Sequence, residues 1–184
     1  MTRIIAGRAG GRRIAVPPSG TRPTSDRVRE ALFSALEHDP GLGGAAVLDV
    51  CAGSGALGLE ALSRGAADAL FVESDRRAAG VLRRNVSDLG LGGQVVVGTA
   101  GTVLARPAER GFDVLLADPP YSVTDDEVAG WLATALAGGW LAGGAVVVVE
   151  RARSRSAFPW PDGFVPARDR RYGDTVLHTA HAPG

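Results

Sequence analysis

The chain has 184 residues, 45% of them hydrophobic and 22% charged, with twenty basic and twenty acidic side chains and a formal net charge of zero. That length supports one globular domain with its own core, and the balanced charge excludes a protein drawn to nucleic acid by its overall field. The single cysteine, Cys51, excludes an internal disulfide and fits a reducing cytoplasm.

The charge is unevenly spread. Residues 1–30 hold seven arginines against two carboxylates, and residues 151–171 hold six against two. Both ends are basic and the middle is acidic, which fits a central ligand-binding unit flanked by phosphate-contacting surfaces. Arginines interrupt every apolar stretch near the N-terminus, so no secretory signal is expected. Residues 128–149 carry no charge and are numerous enough to span a bilayer. Gly138-Gly139 and Gly143-Gly144 break them into a helix, a turn and a buried strand, so no membrane span is expected.

In chain order, residues 3–16 read as a β-hairpin around Gly7, Gly10 and Gly11. Arg8, Arg12 and Arg13 on that flexible turn suit an RNA backbone. A Pro/Gly linker follows. Thr24 or Ser25 caps a helix running to about residue 36, with Val28, Ala31, Leu32, Ala35 and Leu36 inward and Arg27, Arg29 and Glu30 off the stripe. Strands are expected at 45–50, 69–73, 94–98, 112–117 and 145–150, alternating with helices near 57–63, 75–89, 101–106 and 126–137. Two last strands, 164–171 and 175–181, turn at Gly173-Asp174 and are therefore antiparallel. The fold class is α/β with a mostly parallel sheet. Five parallel strands ending in an antiparallel hairpin resemble the Rossmann-like sheet of class I methyltransferases, here with an N-terminal β-hairpin extension over residues 1–20 and the main domain over 21–184.

Asp49-Val50-Cys51-Ala52-Gly53-Ser54-Gly55-Ala56-Leu57-Gly58 joins the first sheet strand to its helix. The glycines permit a tight turn and close approach to a ligand, and Glu73 ends the next strand, where an acid holds a ribose hydroxyl pair. The loop alone fits NAD or S-adenosylmethionine. Asp49 favours the second, since it can meet a cationic methionine end but would face a pyrophosphate unfavourably. Cys51 reads as a loop residue whose backbone matters, and His38, His178 and His181 show no metal spacing.

Asp118-Pro119-Pro120-Tyr121 follows the apolar strand 112–117. The prolines stop the strand at its carboxyl end, where open α/β sheets bind ligands. A carboxylate and a free carbonyl are acceptors for the two N–H groups of an exocyclic amine, and a tyrosine can stack on the base. The tetrapeptide resembles the signature of amino-methyltransferases, which methylate exocyclic nitrogens of bases or a glutamine amide.

Together with the 3–7 and 22–33 segments, the 49–61 loop and Arg171-Tyr172-Gly173-Asp174-Thr175, it resembles the RsmD-type methyltransferases over nearly the whole chain. The resemblance implies transfer of methyl from S-adenosyl-L-methionine to N2 of a guanine in bacterial 16S ribosomal RNA, naked or in the assembling 30S subunit, by a cytoplasmic monomer. It implies Asp118, Pro119, Pro120 and Tyr121 as catalytic. Asp49, Cys51, Ala52, Gly53, Ser54, Gly55, Leu57, Glu73, Ser74, Thr99 and Ala100 would hold the cofactor, without a metal. Arg3, Arg8, Arg12, Arg13, Arg22 and Arg27 would contact RNA. The rivals are an N6-adenine methyltransferase of DNA or RNA, an NAD-binding Rossmann protein, and an RNA-binding protein without turnover.

Overall fold

In the computed structural model, which describes residues 2–18, 24–38 and 41–184, β1 (Thr2–Arg3) and β2 (Arg13–Ile14) pair antiparallel at the start of the chain. There follow α1 (Asp26–His38), β3 (Ala46–Val50), α2 (Ala56–Ser63), β4 (Asp68–Glu73), α3 (Arg76–Leu89), β5 (Gln94–Val97), α4 (Ala100–Leu104), β6 (Phe112–Ala117), α5 (Asp125–Ala137) and β7 (Leu141–Ala152). β8 (Val165–Pro166), β9 (Arg170–Tyr172) and β10 (Thr175–His181) complete the chain. Arg22 lies outside the described residues.

The main sheet runs β5-β4-β3-β6-β7-β10-β8, with β9 also paired to β10. β3 to β7 are parallel and β10 is antiparallel to β7. The strands are nearly continuous apolar runs because both faces are covered. Val47, Phe71, Leu116 and Val148 pack with α1, α2, α3 and the N-terminal hairpin, while Leu48, Val72, Leu115 and Val147 pack with α4 and α5. The chain order reverses between β3 and β6, so the loops leaving these two strands part and open a crevice at their carboxyl ends.

Four expectations change. The strand expected at 164–171 is two short pieces, β8 and β9, each paired with β10. The N-terminal turn is docked rather than flexible. Residues 7–9 form a 3-10 turn on α2, and the buried Glu60 carboxylate accepts the N–H groups of Ile5 (2.7 Å) and Ala6 (3.0 Å) and Arg64 Nε (2.7 Å). Ser63 Oγ accepts from Ala9 N–H and donates to Ala6 O. Gly7 has φ 79°, and a Cβ there would meet Ser63 O at 2.0 Å, so contact with α2 requires glycine. Arg8 donates to Leu62 O, Arg12 to Leu89 O and Asp88 O, and Arg3 pairs with Asp26. Arg8 and Arg12 thus satisfy carbonyls at the ends of α2 and α3 that lack partners in the helix.

Arg29 is fully buried, not off the stripe of α1. It donates to Thr2 Oγ1 (2.9 Å) and Asp26 Oδ1 (2.7 Å). The hairpin covers a second flank of the helix, which also buries Phe33. β7 is longer than expected, because Gly143-Gly144 forms a bulge inside the strand instead of ending it: Phe112 pairs with Leu141, but Val114 pairs with Val146. Among the described residues no helix is long and apolar enough to cross a membrane.

Candidate active site

The crevice encloses about 430 Å³. Asp49, Cys51, Ala52, Gly53, Ser54, Leu57, Glu73, Ser74, Asp118 and Pro120 line it, so ten of the residues expected from the sequence meet there. Gly55 caps α2 behind the wall, and Thr99 caps α4, its Oγ1 accepting from Thr102 N–H at 3.2 Å. Ala100 is buried under that cap. Pro119 and Tyr121 are not on the wall. Tyr121 stands 60% exposed at the rim, free to meet a base arriving from solvent.

The loop is built by carboxylates. Glu73 accepts Gly53 N–H through one oxygen and Asp75 N–H through the other, both at 2.7 Å. Each oxygen keeps a lone pair for a ribose hydroxyl. Asp49 Oδ2 accepts Gly58 N–H at 2.9 Å and fixes the first turn of α2. A Cβ at Gly58 would come within 2.4 Å of the Phe71 ring, so glycine also lets this helix close on the sheet. Cys51 has φ 62°, the left-handed region that non-glycine residues rarely adopt. Burial pushes its thiol up to about 12, which removes it as a nucleophile.

At the end of β6, Asp118 is joined to residues that sequence reading did not single out. Thr24 Oγ1 lies 3.2 Å from Asp118 Oδ2 and 2.6 Å from Glu150 Oε2. Ser25 therefore caps α1, accepting Val28 N–H, while Thr24 faces the site. Arg151, counted above among surface arginines, is buried beneath the Pro-Pro turn. It pairs with Asp125 at 2.6 Å, donates to Val123 O, and lies 3.5 Å from the carbonyls of Pro119 and Pro120. A buried guanidinium has to find acceptors, and here it fixes the turn that presents Asp118. Burial pushes Asp49 up to about 7, Asp118 to about 6 and Glu150 to about 7. Val16 and Pro17 close the crevice from the N-terminal side.

A pyrophosphate brought to this loop would meet Asp49, Glu73 and Asp118; an ammonium and a sulfonium would be attracted by the same three acids. The donor set thus fits S-adenosylmethionine, and with the sheet it defines a class I methyltransferase that uses that cofactor. The model of the family described as conserved hypothetical protein 95 matches residues 2–181, and the chain belongs to that family. It is 41% identical over 150 residues to ribosomal RNA small subunit methyltransferase D of Escherichia coli (strain K12), covering 80% of this chain and 73% of that protein. The Haemophilus influenzae protein of the same name is 37% identical over 176 residues, covering 93% of this chain and 89% of that one. Among solved structures, the putative methyltransferase yhhF from Escherichia coli matches with a TM-score of 0.86 and 35% identity, over 99% of this chain and 98% of that one.

Proposed function

We propose that the protein transfers a methyl group from S-adenosylmethionine to the exocyclic N2 of a guanine in 16S ribosomal RNA, naked or in the assembling small subunit, acting in the cytoplasm as a monomer. The observation that carries this reading is the placement of Asp118, at the end of β6, on the wall of the acid-lined crevice of the glycine loop. When bound, the cofactor supplies an electrophilic methyl on a cationic sulfur. The amine of a conjugated base is a poor nucleophile because its lone pair is spread into the ring. The Asp118 carboxylate and the Pro119 carbonyl accept its two N–H groups and turn the nitrogen toward tetrahedral, which takes the lone pair out of conjugation with the ring and aims it at the methyl. A carbonyl has two lone pairs, so the long contact of Pro119 O with Arg151 leaves one for the amine. Tyr121 stacks on the extruded base, offsetting with about 1–3 kcal/mol part of the cost of unstacking. Positioning and charge placement supply most of the acceleration.

The RNA face in this reading extends beyond the N-terminal arginines. Arg3, Arg8 and Arg12 are held in bonds within the chain. Arg13 and Arg27 are exposed and have no side-chain partner among the described residues, and neither do Arg153, Arg155, Arg168, Arg170 and Arg171. Of these, Arg168 and Arg171 border a cleft of about 640 Å³ with Phe158, Trp160 and His178 on its wall. Arg171 pairs with Val176, which pairs with Arg151, the residue under the Pro-Pro turn. Three strand spacings separate β9 from β6, about 14 Å, so this edge meets nucleotides flanking the target.

The test uses radiolabelled S-adenosylmethionine with small-subunit particles from cells lacking this enzyme, followed by nucleoside analysis. Label in N2-methylguanosine is expected. Label in methyladenosine would overturn the base assignment, and no label in particles or naked RNA would overturn the substrate.

A further inference from the structure

Thr24 Oγ1 sits between two carboxyl groups, 2.6 Å from Glu150 and 3.2 Å from Asp118. A hydroxyl has one hydrogen. With both carboxyls ionised, one of these contacts sets lone pairs against lone pairs with no hydrogen between them. One further proton completes the chain, and the surroundings decide where it sits. Glu150 is 7% exposed, is absent from the crevice wall, and is paired across the sheet with apolar Leu177 of β10. Asp118 opens onto the crevice and has the Arg151 guanidinium near it. Charge belongs on Asp118 and the proton on Glu150.

We propose that Glu150 and Thr24 are positioning residues for methyl transfer: neutral Glu150 donates to Thr24 Oγ1, and Thr24 donates to Asp118 Oδ2, which leaves Asp118 ionised with its other oxygen for the target amine. The proposal rests on the reading of Asp118 as the amine's acceptor. Burial raises Glu150 to about 7 and Asp118 to about 6, consistent with one proton shared between them. Among the described residues the charged groups around the pair are Arg151 of β7 and Asp49 at the end of β3, which is itself beside Glu73 of β4; α1 and its leading segment contribute the Thr24 hydroxyl. When Glu150 ionises, the Thr24 hydrogen turns to it, and Asp118 loses its donor and gains a like charge nearby.

The experiment measures single-turnover methyl transfer to small-subunit particles from about pH 5.5 to about pH 9, with saturating S-adenosylmethionine. Glu150→Gln is the telling variant, since its amide donates to Thr24 at every pH. It should keep the rate near pH 6.5 within about threefold of wild type and lose the alkaline fall of the wild-type profile. Thr24→Val should lose about tenfold or more, and Thr24→Ser should restore the rate. Independently of turnover, the protonated-carboxyl infrared band of the chain alone near neutral pH should weaken in Glu150→Gln. A Glu150→Gln rate as low as that of Glu150→Ala, an unchanged alkaline limb, or an unchanged infrared band would overturn the proposal. An Asp118→Ala enzyme of wild-type rate would instead sink the reading of Asp118 beneath it.

Discussion

At the scale of single residues, the site is a set of acids kept from doing harm by what surrounds them. Asp118 is mostly buried, beside Thr24 and above Arg151, and its charge is useful only toward the crevice. Asp118→Ala should therefore lower methyl transfer by about a hundredfold or more, while S-adenosylmethionine still binds, because Asp49 and Glu73 hold the loop without it. Isothermal titration beside a single-turnover assay checks this, and a variant that loses binding and turnover together would assign Asp118 to the cofactor. Asp118 was legible from the sequence because two prolines mark the strand end that carries it. Thr24 and Glu150 were not, since each also fits a bland reading, one as a helix cap and the other as the last residue of a buried strand. Only the sheet, which sets β7 beside β6, and the segment leading into α1 bring the three together. Cys51 shows the reverse case: its place in the loop was legible, and its left-handed backbone was not, since nothing in its side chain favours φ 62°.

At the scale of elements, the N-terminal hairpin has the most to teach. A two-stranded ribbon is marginal alone, and this one is held by two buried polar side chains of the mostly apolar helix α2, the Glu60 carboxylate and the Ser63 hydroxyl. Glu60→Ala would strand the N–H groups of Ile5 and Ala6 and Arg64 Nε, while Glu30 and Glu37 keep the rest of that guanidinium paired, at a cost of about 1–3 kcal/mol for each stranded donor. Trypsin should then cut at Arg8, Arg12 or Arg13 under native conditions well before it cuts the wild type, and equal cutting rates would mean that apolar packing alone docks the hairpin. The order of strands and helices in the parallel part of the sheet was legible, because strands covered on both faces leave unbroken apolar runs, whereas the length of β7 and the break between β8 and β9 were not. The helix-end bonds of Arg8 and Arg12 were not legible, since a guanidinium that caps a helix end and one that awaits a phosphate look alike in sequence. Separating them gives a test. Replacing Arg168, Arg170 and Arg171 by glutamine should lower the salt slope of RNA binding by about 2, at about 0.7 per phosphate contact. Arg12→Gln should leave that slope unchanged and lower stability, because its guanidinium bonds the end of α3. A slope reduced only by Arg12→Gln would return the RNA face to the hairpin.

At the scale of the whole molecule, the zero net charge conceals an acidic centre between basic edges, and that centre couples stability to cofactor binding. Asp49 is raised to about 7, Glu150 to about 7 and Asp118 to about 6. In the unfolded chain such groups titrate near 4. Between those values the native state holds more protons than the unfolded one, so the stability these groups contribute is full below about pH 4 and is lost as pH rises through about 7. The melting temperature of the chain alone should accordingly fall from about pH 5 to about pH 8. A cation in the crevice favours the ionised acids, so S-adenosylmethionine should release protons on binding near pH 7 and bind more tightly as pH rises through that value. S-adenosylhomocysteine, which lacks the sulfonium charge, should show a smaller rise. Asp49→Asn should remove the Asp49 share of both effects, since an amide does not titrate in this range. Thermal melts and titrations in buffers of different ionisation enthalpy measure the two quantities separately. A melting temperature flat across this range, with no proton release, would mean that the three acids are already ionised in the folded chain, and that their mutual repulsion is met by solvent rather than by the ligand.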